Sequence, residues 1–199
     1  MMPFSATPGG WVSRLEPHEL DLIARAATEV AAVLDPPIID PHILGALTDD
    51  DVPVPEPHDR SLSNLLRPMA SDPQLAGELR TLSEDDLRAD KARRLRIFID
   101  ELREAAKSQG LVYIRSGEEW TWLSALTDIR LALAGTLDAQ SPADVDAVTD
   151  YALRVAAATD PAEIIDDSEL DPLVATVFTM LGAWQESLLS AMDGREGSR

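Results

Sequence analysis

The side chains that could bind a metal ion are spread through the sequence without the spacing that metal sites use. The three histidines are His18, His42 and His58, and no two of them lie three or four residues apart. The acidic runs 49–51 and 166–171 lack the central glycine and the distal glutamate of a calcium loop. We therefore expect solvated histidines and acids at these positions, and no metal site.

The sequence also lacks the usual groups for covalent catalysis and nucleotide binding. It contains no cysteine, which excludes disulfides, thiolate zinc sites and thiol nucleophiles. Neither a glycine-rich phosphate loop nor a Gly-x-Ser-x-Gly nucleophile motif is present. The prediction is a protein that is not an enzyme and that binds no cofactor.

Charge and hydropathy narrow the class of partner. The formal net charge is −19 over 199 residues, which repels phosphate backbones and anionic membranes and so makes nucleic-acid binding unfavourable. No run approaches the roughly 18–20 apolar residues of a membrane span, and Met1 to Gly10 does not have the pattern of a secretory signal. We expect a cytoplasmic protein whose partner is another protein with a basic surface.

One predicted helix holds an unusual share of the basic residues. Between 88 and 107 it contains Arg88, Lys91, Arg93, Arg94, Arg96, Arg103 and Lys107. One interpretation is a binding patch, which makes a DNA-binding transcription factor using helix 88–107 an alternative function. The favoured interpretation pairs these cations with carboxylates at helical spacing. Arg88, Lys91 and Arg94 are candidate partner contacts, as is Trp11, because tryptophan is enriched at binding hot spots.

Arg130 lies in the middle of an apolar helical stripe. The stripe consists of Leu123, Leu126, Leu133 and Leu137. A charge there is costly unless it is paired and hydrogen-bonded, so we expect a partner from the last predicted helix, either Glu186 or Gln185. A buried structural pair of Arg130 and Glu186 is favoured, and a small-ligand-binding domain around Arg130 is the alternative. On the same last helix, Gly182 should let another backbone approach closely.

Helix starts are well marked, because several combine a capping oxygen with an early proline. These starts are Asp72-Pro73, Ser141-Pro142, Asp160-Pro161 and Asp171-Pro172, and Ser83 to Asp86 reads as a capping-box variant. They predict helices over about 16–34, 61–69, 73–81, 84–108, 118–138, 142–158, 161–166 and 172–192.

The fold class predicted from these segments is mainly α, a compact bundle of about six to eight helices. At most a minor extended segment is expected, near 111–114. We expect a single helical domain over 1–193, interrupted by a Pro/Asp-rich connector at 35–60 and followed by a disordered tail at 194–199. Ala106 and three tryptophans, Trp120, Trp122 and Trp184, should lie in or near the core.

The order of several of these motifs resembles an actinobacterial family known as a domain of unknown function. The motifs are Leu65-Leu66-Arg67-Pro68, Asp72-Pro73, Glu78-Leu79-Arg80, Leu82 to Arg88, Trp122-Leu123 with Leu126, Asp128 to Leu131 with Gly135, and Leu181-Gly182 with Gln185-Glu186. They are helix-packing and capping motifs, and the resemblance spans about residues 4–192.

The resemblance implies a regulatory role. Genes of that family are found beside the gene for the Clp protease adaptor, and the family includes oxidative-stress regulators of the AosR type. In those regulators paired cysteines sense oxidants and a sigma factor is the partner. Because this chain has no cysteine, thiol-based sensing is excluded here. What remains is a non-enzymatic regulatory or adaptor protein that binds a sigma factor or another basic protein, with a homodimer as a separate hypothesis.

Overall fold

The fold is mainly α, as predicted, with one small antiparallel sheet. The computed structural model describes residues 1–34, 60–66, 70, 72–158 and 168–196. In chain order the elements are β1 (Ser5–Thr7), β2 (Gly10–Arg14), α1 (Pro17–Leu34), α2 (Arg60–Leu65), α3 (Pro73–Lys107), β3 (Leu111–Arg115), α4 (Glu119–Thr136), α5 (Pro142–Ala157) and α6 (Pro172–Glu196). The predicted connector at 35–60 falls almost wholly outside these residues, and so does the predicted helix at 161–166.

The sheet has the order β1-β2-β3, with β2 in the centre. Its third strand confirms the extended segment predicted near 111–114, whereas the two N-terminal strands were not predicted. Trp11 of β2 pairs with Ile114 of β3. Gly10 lies so close to β3 that a Cβ atom there would be 1.9 Å from the carbonyl oxygen of Ile114. The short strands carry no strong alternating pattern of their own, so their pairing depends on tertiary contacts.

The predicted helix caps are found where the structure describes them. Asp72 accepts hydrogen bonds from the backbone N–H groups of Gln74 and Leu75, both at 3.0 Å. Ser141 and Asp144 form a reciprocal capping box at the start of α5. These hydrogen bonds from the Ser141 side chain and from nearby backbone hold the pKa of Asp144 below its usual value.

One predicted helix start is wrong. Ser83 does not begin a helix, because α3 runs without a break from Pro73 to Lys107. Its hydroxyl donates to the carbonyl oxygen of Leu79 at 2.7 Å, one turn back along the same helix. The acidic residues after Ser83 therefore lie in the interior of a continuous helix and are not at the positive end of a helix dipole.

The core forms where α4 meets its neighbours. α1 packs against α3, α2 against α4, and α6 against both α4 and α5. A chain of aromatic rings crosses it, with centroids 4.7 Å apart for Phe98 and Trp122, 5.8 Å for Trp122 and Trp184, and 5.1 Å for Trp184 and Phe4. These contacts join the N-terminal segment, α3, α4 and α6 into one packed body.

Two residues predicted to be buried are exposed. Trp120 is 66% exposed, because residues two apart on a helix point to different sides and Trp122 takes the inward position. Ala106 lines an open groove between α1 and the end of α3. Within the described residues, no helix combines the length and apolar composition that crossing a bilayer requires.

The C-terminal helix is longer than predicted. α6 continues to Glu196, so Gly194 to Glu196 do not form the disordered tail that was expected, and 197–199 lie outside the described residues. Arg195 donates to the hydroxyl of Ser116 at 3.1 Å and to the carbonyl oxygen of Pro8 at 3.2 Å. These bonds hold the last turn of α6 against the sheet.

Candidate functional site

A buried carboxylate joins α3 to α4. The side chain of Asp128 is only 4% exposed, and its two oxygens accept hydrogen bonds from two cations of α3. Lys91 Nζ binds Oδ1, and Arg94 Nη1 binds Oδ2 at 2.7 Å. A buried carboxylate is tolerated when it is paired and hydrogen-bonded in this way.

The sequence of α4 explains why this pair forms. Between 120 and 137 the charged residues are Asp128 and Arg130 alone, so the helix is apolar on nearly every side. Asp128 lies three residues after Ala125 and four before Ala132, and both alanines are buried. The carboxylate therefore faces a neighbouring helix, and α3 supplies the two cations that neutralise it.

A cleft opens beside this pair, between α3 and α4. Its volume is about 200 Å³, and it is lined by Arg94, Ile97, Phe98, Glu101, Glu118, Thr121 and Trp122. We call it the α3–α4 cleft. Arg94 belongs to both features, since its guanidinium binds Asp128 and also borders the cleft. Ile97 is 47% exposed, so the cleft is open to solvent at its rim.

Two polar groups in the α3–α4 cleft have no hydrogen-bond partner. They are Oε2 of Glu101 and the indole Nε1 of Trp122, both of which are buried. Burial raises the pKa of the Glu101 carboxyl, and the charge of Glu118 adds to this rise. The nearby Trp122 indole N–H, which does not reach full hydrogen-bond geometry, and the charge of Arg115 oppose it. Buried polar groups without partners are uncommon in native proteins. The cleft thus holds a donor and an acceptor that lie near each other without a good hydrogen bond between them.

Arg130 is partly buried, and it is held by an amide. Its Nη1 donates to Oε1 of Gln185 at 2.9 Å, and Nε2 of Gln185 donates to Oγ1 of Thr127 at 2.9 Å. The guanidinium carbon lies 5.4 Å from the centre of the Phe178 ring, within reach of a cation–π contact. Burial lowers the pKa of Arg130, and the charge of Glu186 partly opposes that change.

Of the two predicted partners of Arg130, Gln185 forms the hydrogen bond. The prediction of a buried Arg130–Glu186 pair is wrong, because Glu186 is exposed. Gln185 lies seven residues after Phe178 on the inward side of α6, and Glu186 is turned one step toward solvent. Gly182 also differs from the prediction, since the atoms nearest to it are those of the Arg130 guanidinium and not another backbone. The close backbone contact occurs at Gly135, which meets Arg60 and Ser61.

The basic residues of α3 form ion pairs, as the favoured interpretation predicted. Within α3, Arg88 binds Glu84 at 2.5 Å, Arg93 binds Asp90 at 2.5 Å, Arg103 binds Asp100 at 2.7 Å, and Lys107 binds Glu104 at 2.6 Å. The candidate contacts Lys91 and Arg94 instead reach across to Asp128. The side chain of Arg88 is only 17% exposed. These three cations therefore already have partners inside the fold.

Trp11, the fourth candidate contact, is buried. It is 5% exposed, and the Arg195 guanidinium lies 5.2 Å from its ring centre. It covers the core beneath the sheet and does not present its ring to a partner.

The remaining polar candidates do not come together in the part of the chain that the structure describes. His18 is exposed near the start of α1, while His42, His58 and Asp49 to Asp51 lie outside the described residues. Asp171 caps α6, as predicted, by accepting from the N–H groups of Leu173 and Val174. Among the described residues, no group of three or more His, Asp or Glu side chains is placed to hold a metal ion.

Sequence reasoning missed three residues of this site: Glu101, Trp122 as a donor, and Asp128. Asp128 could have been found, because a single carboxylate within an apolar helix requires a cation from elsewhere. The role of Glu101 could not have been found, because nothing in its spacing separates it from the other acids of α3.

One family match covers all but the last four described residues. The sequence profile described as "Domain of unknown function (DUF2017)" matches residues 1–192. No curated protein and no solved structure matches the chain with significant similarity.

Proposed function

The chain belongs to the DUF2017 family of domains of unknown function, and we propose that it is a non-enzymatic regulatory or adaptor protein that acts by binding another protein. The observation that carries this proposal is a row of leucines on the solvent side of α3. Leu75 is 47% exposed and Leu82 is 79% exposed. Leu79, half-buried, lies between them at helical spacing. We call these three residues the leucine stripe.

The leucine stripe has the form of a helix face that binds a partner. Apolar residues at i, i+4 and i+7 are the anchors with which an amphipathic helix binds a partner's groove. A single exposed leucine is ordinary on a protein surface, but three on one helix face form a contiguous apolar strip.

The charges around the leucine stripe favour a basic partner. Glu78, Asp85 and Asp86 are exposed on the same stretch of α3, and the whole chain carries a net charge of −19. An acidic rim around apolar anchors speeds association with a positively charged surface and disfavours acidic proteins. A cytoplasmic sigma factor, whose DNA-binding surface is basic, has the required charge.

The family resemblance makes the sigma factor the first partner to test. Regulators of the AosR type bind a sigma factor, and an actinobacterial origin beside the Clp adaptor gene fits the same proposal. The mechanism must differ from theirs, because a chain without cysteine cannot form a regulatory disulfide. Binding here depends on surface complementarity alone.

The experiment compares two matched substitutions in the full chain. Purified sigma factors from the source organism are titrated against the wild type, Leu82→Gln and Leu153→Gln. Leu153 is 58% exposed on α5, so it provides the same chemical change on another face. We expect Leu82→Gln to weaken binding about tenfold or more and Leu153→Gln to leave it unchanged. If no sigma factor binds, the three proteins serve as baits, and identical captured partners for all of them would refute the proposal.

The ion pairs of α3 count against the alternative of DNA binding. A DNA-binding surface needs cations that are available to phosphates, whereas the basic residues of α3 described above are interleaved with the acids that bind them. Self-association through the leucine stripe is also disfavoured, since two copies would bring like charges together. Light scattering at high concentration tests the homodimer separately.

A further inference from the structure

The α3–α4 cleft holds a buried indole N–H beside a carboxylate, without a good hydrogen bond between them. Trp122 is 3% exposed, it lines the cleft, and its Nε1 has no hydrogen-bond partner. Oε2 of Glu101, in the same cleft, is equally buried and unpaired. Leaving such groups without partners costs free energy. The Trp122 N–H lies near the Glu101 carboxylate but makes no good hydrogen bond to it, so Oε2 of Glu101 still lacks a donor, which a cationic ligand would supply.

The unpaired charge in the cleft is negative. Glu101 forms no ion pair with any residue that the structure describes, and Glu118 has only a loose pair with Arg115 at 3.6 Å. The one cation on the cleft wall is Arg94, and its guanidinium already binds Asp128. Two carboxylates thus face a shared space in which Arg94 is committed to Asp128 and Arg115 offers only loose compensation. An anion would be repelled there, and a neutral ligand would leave the carboxylates unbalanced.

The walls of the cleft suit the stem of a long cationic side chain. Ile97, Phe98 and Trp122 provide apolar and aromatic surface, against which the methylene groups of lysine or arginine can pack while the charged end reaches a carboxylate. An aromatic wall also attracts a cation directly. A volume of about 200 Å³ accommodates one such side chain and excludes a folded segment.

We propose that the α3–α4 cleft receives one lysine or arginine side chain of the basic partner, with its charged head on Glu101 and Glu118 and its stem against Phe98 and Trp122. This inference rests on the proposed function, because the side chain comes from that partner. It adds a second contact on α3, since Ile97 of the cleft lies 15 residues after Leu82 of the leucine stripe. It also requires the partner to present a specific kind of residue. The leucine stripe then supplies apolar contact, and the cleft selects for positive charge.

The test detects occupancy of the cleft through the Trp122 indole. The full chain, labelled with nitrogen-15, is titrated with N-acetyl-arginine methylamide, and the assigned indole N–H signal of Trp122 is followed by NMR. The neutral control is N-acetyl-norleucine methylamide. We expect a saturable shift of the Trp122 signal with the arginine compound, little shift with the norleucine compound, and at least a tenfold loss of affinity in Glu101→Gln.

Matched variants separate the cleft from general charge. Glu104→Gln removes a carboxylate from the same helix at an exposed position where it binds Lys107, and it should leave the titration unchanged. Glu118→Gln should weaken binding less than Glu101→Gln, because Glu118 is 43% exposed. An unmoved Trp122 signal, equal shifts with both compounds, or unchanged affinity in Glu101→Gln would overturn the inference.

Titrations with the partner distinguish this inference from the proposed function. If Leu82→Gln weakens partner binding and Glu101→Gln does not, the cleft proposal fails and the adaptor proposal stands. If neither substitution changes the affinity, both fail.

Discussion

Arg94 of α3 donates a hydrogen bond from Nη1 to Oδ2 of Asp128 on α4, over a distance of 2.7 Å. With Lys91 on the other oxygen, the carboxylate holds together the two helices that form the α3–α4 cleft. Removing one partner of a buried ion pair destabilises a protein more than replacing the whole pair with apolar residues, because the remaining charges lose their counter-ion. The position of the cleft walls therefore depends on this carboxylate as well as on the packing of Phe98 against Trp122.

Asp128→Asn should destabilise the protein strongly. The substitution preserves shape but leaves Lys91 and Arg94, whose side chains are 13% and 28% exposed, without a negative partner. We expect a loss of about 2–3 kcal/mol in the free energy of unfolding, somewhat below the range for fully buried pairs. Urea unfolding followed by circular dichroism measures it.

The control for Asp128→Asn is Asp100→Asn. Asp100 pairs with Arg103 on the surface of α3, where the two side chains are 70% and 65% exposed. Its loss should change the stability by less than about 0.5 kcal/mol, because exposed ion pairs contribute little. Equal losses in the two variants would show that the pair at Asp128 is not held in a buried site.

Two glycine substitutions should change the free energy of unfolding in opposite directions. In Gly135→Ala the new Cβ would lie 2.6 Å from the carbonyl oxygen of Arg60 and from the amide of Ser61, so α2 must move away from α4. We expect a loss of about 1–3 kcal/mol. In Gly182→Ala the Cβ meets the Arg130 guanidinium at an ordinary 3.6 Å. The better helix propensity of alanine should then stabilise the protein by up to about 1 kcal/mol.

Thermal unfolding of the two glycine variants measures both effects. A stabilised Gly135→Ala would mean that α2 is not packed directly on α4. A destabilised Gly182→Ala would mean that a backbone, as the sequence suggested, approaches α6 at that point.

Removal of Gln185 should cost more than removal of Glu186. Gln185→Ala breaks the hydrogen bonds to Arg130 and Thr127 and leaves a partly buried guanidinium without an acceptor. A loss of about 1–3 kcal/mol is expected, because an unsatisfied charged donor loses its compensation. Glu186→Ala removes only a favourable charge at a distance, and the expected loss is below about 0.5 kcal/mol. Denaturant midpoints of the two variants decide the order, and a larger loss for Glu186→Ala would contradict the assignment.

The stability gain from Glu101→Gln should depend on pH. Burial raises the folded-state pKa of Glu101 above its unfolded value, so the folded state holds a proton more tightly than the unfolded chain does. Ionisation therefore destabilises the fold as the pH rises from the unfolded pKa through the folded pKa, and the full penalty is present above the folded pKa. Glu101→Gln removes that penalty. Its stabilisation should be greatest at neutral pH and should shrink as the pH falls toward the ordinary range of a carboxyl.

Urea titrations of Glu101→Gln and the wild type between neutral and mildly acidic pH measure this difference. Glu104→Gln, which changes an exposed acid on the same helix, should show no comparable trend. A constant difference between Glu101→Gln and wild type across the pH range would argue against a raised pKa.

The helical elements could be predicted from the sequence because their signals are local. A capping side chain next to a proline, as at Ser141 and Pro142, defines a helix start within a few residues of chain. The inward face of α1, with Leu20 and Ile23, follows from periodicity alone. The helix start predicted at Ser83 was wrong because a capping pattern cannot show whether the preceding helix has already ended.

The parts that could not be predicted depend on contacts between distant residues. β1 and β2 are short, and besides pairing with each other they depend on β3, which lies beside β2 but about a hundred residues away in the sequence. The pairing of Asp128 with Lys91 and Arg94 likewise requires α3 and α4 to be adjacent. For Arg130 the prediction named the right helix for its partner, but periodicity did not distinguish Gln185 from Glu186.

The sheet also makes the start of the chain depend on α6 for its packing. The Trp184 indole donates to Ser13 at 2.9 Å, and the backbone N–H of Phe4 donates to Ser187 at 3.2 Å. β1, β2 and the residues around them thus find part of their packing surface on a helix that lies 171 residues further along the sequence. Without α6, Phe4 and Trp11 would lose the side chains that cover them. A chain cut short before α6 is therefore expected to expose aromatic surface of the kind that chaperones bind.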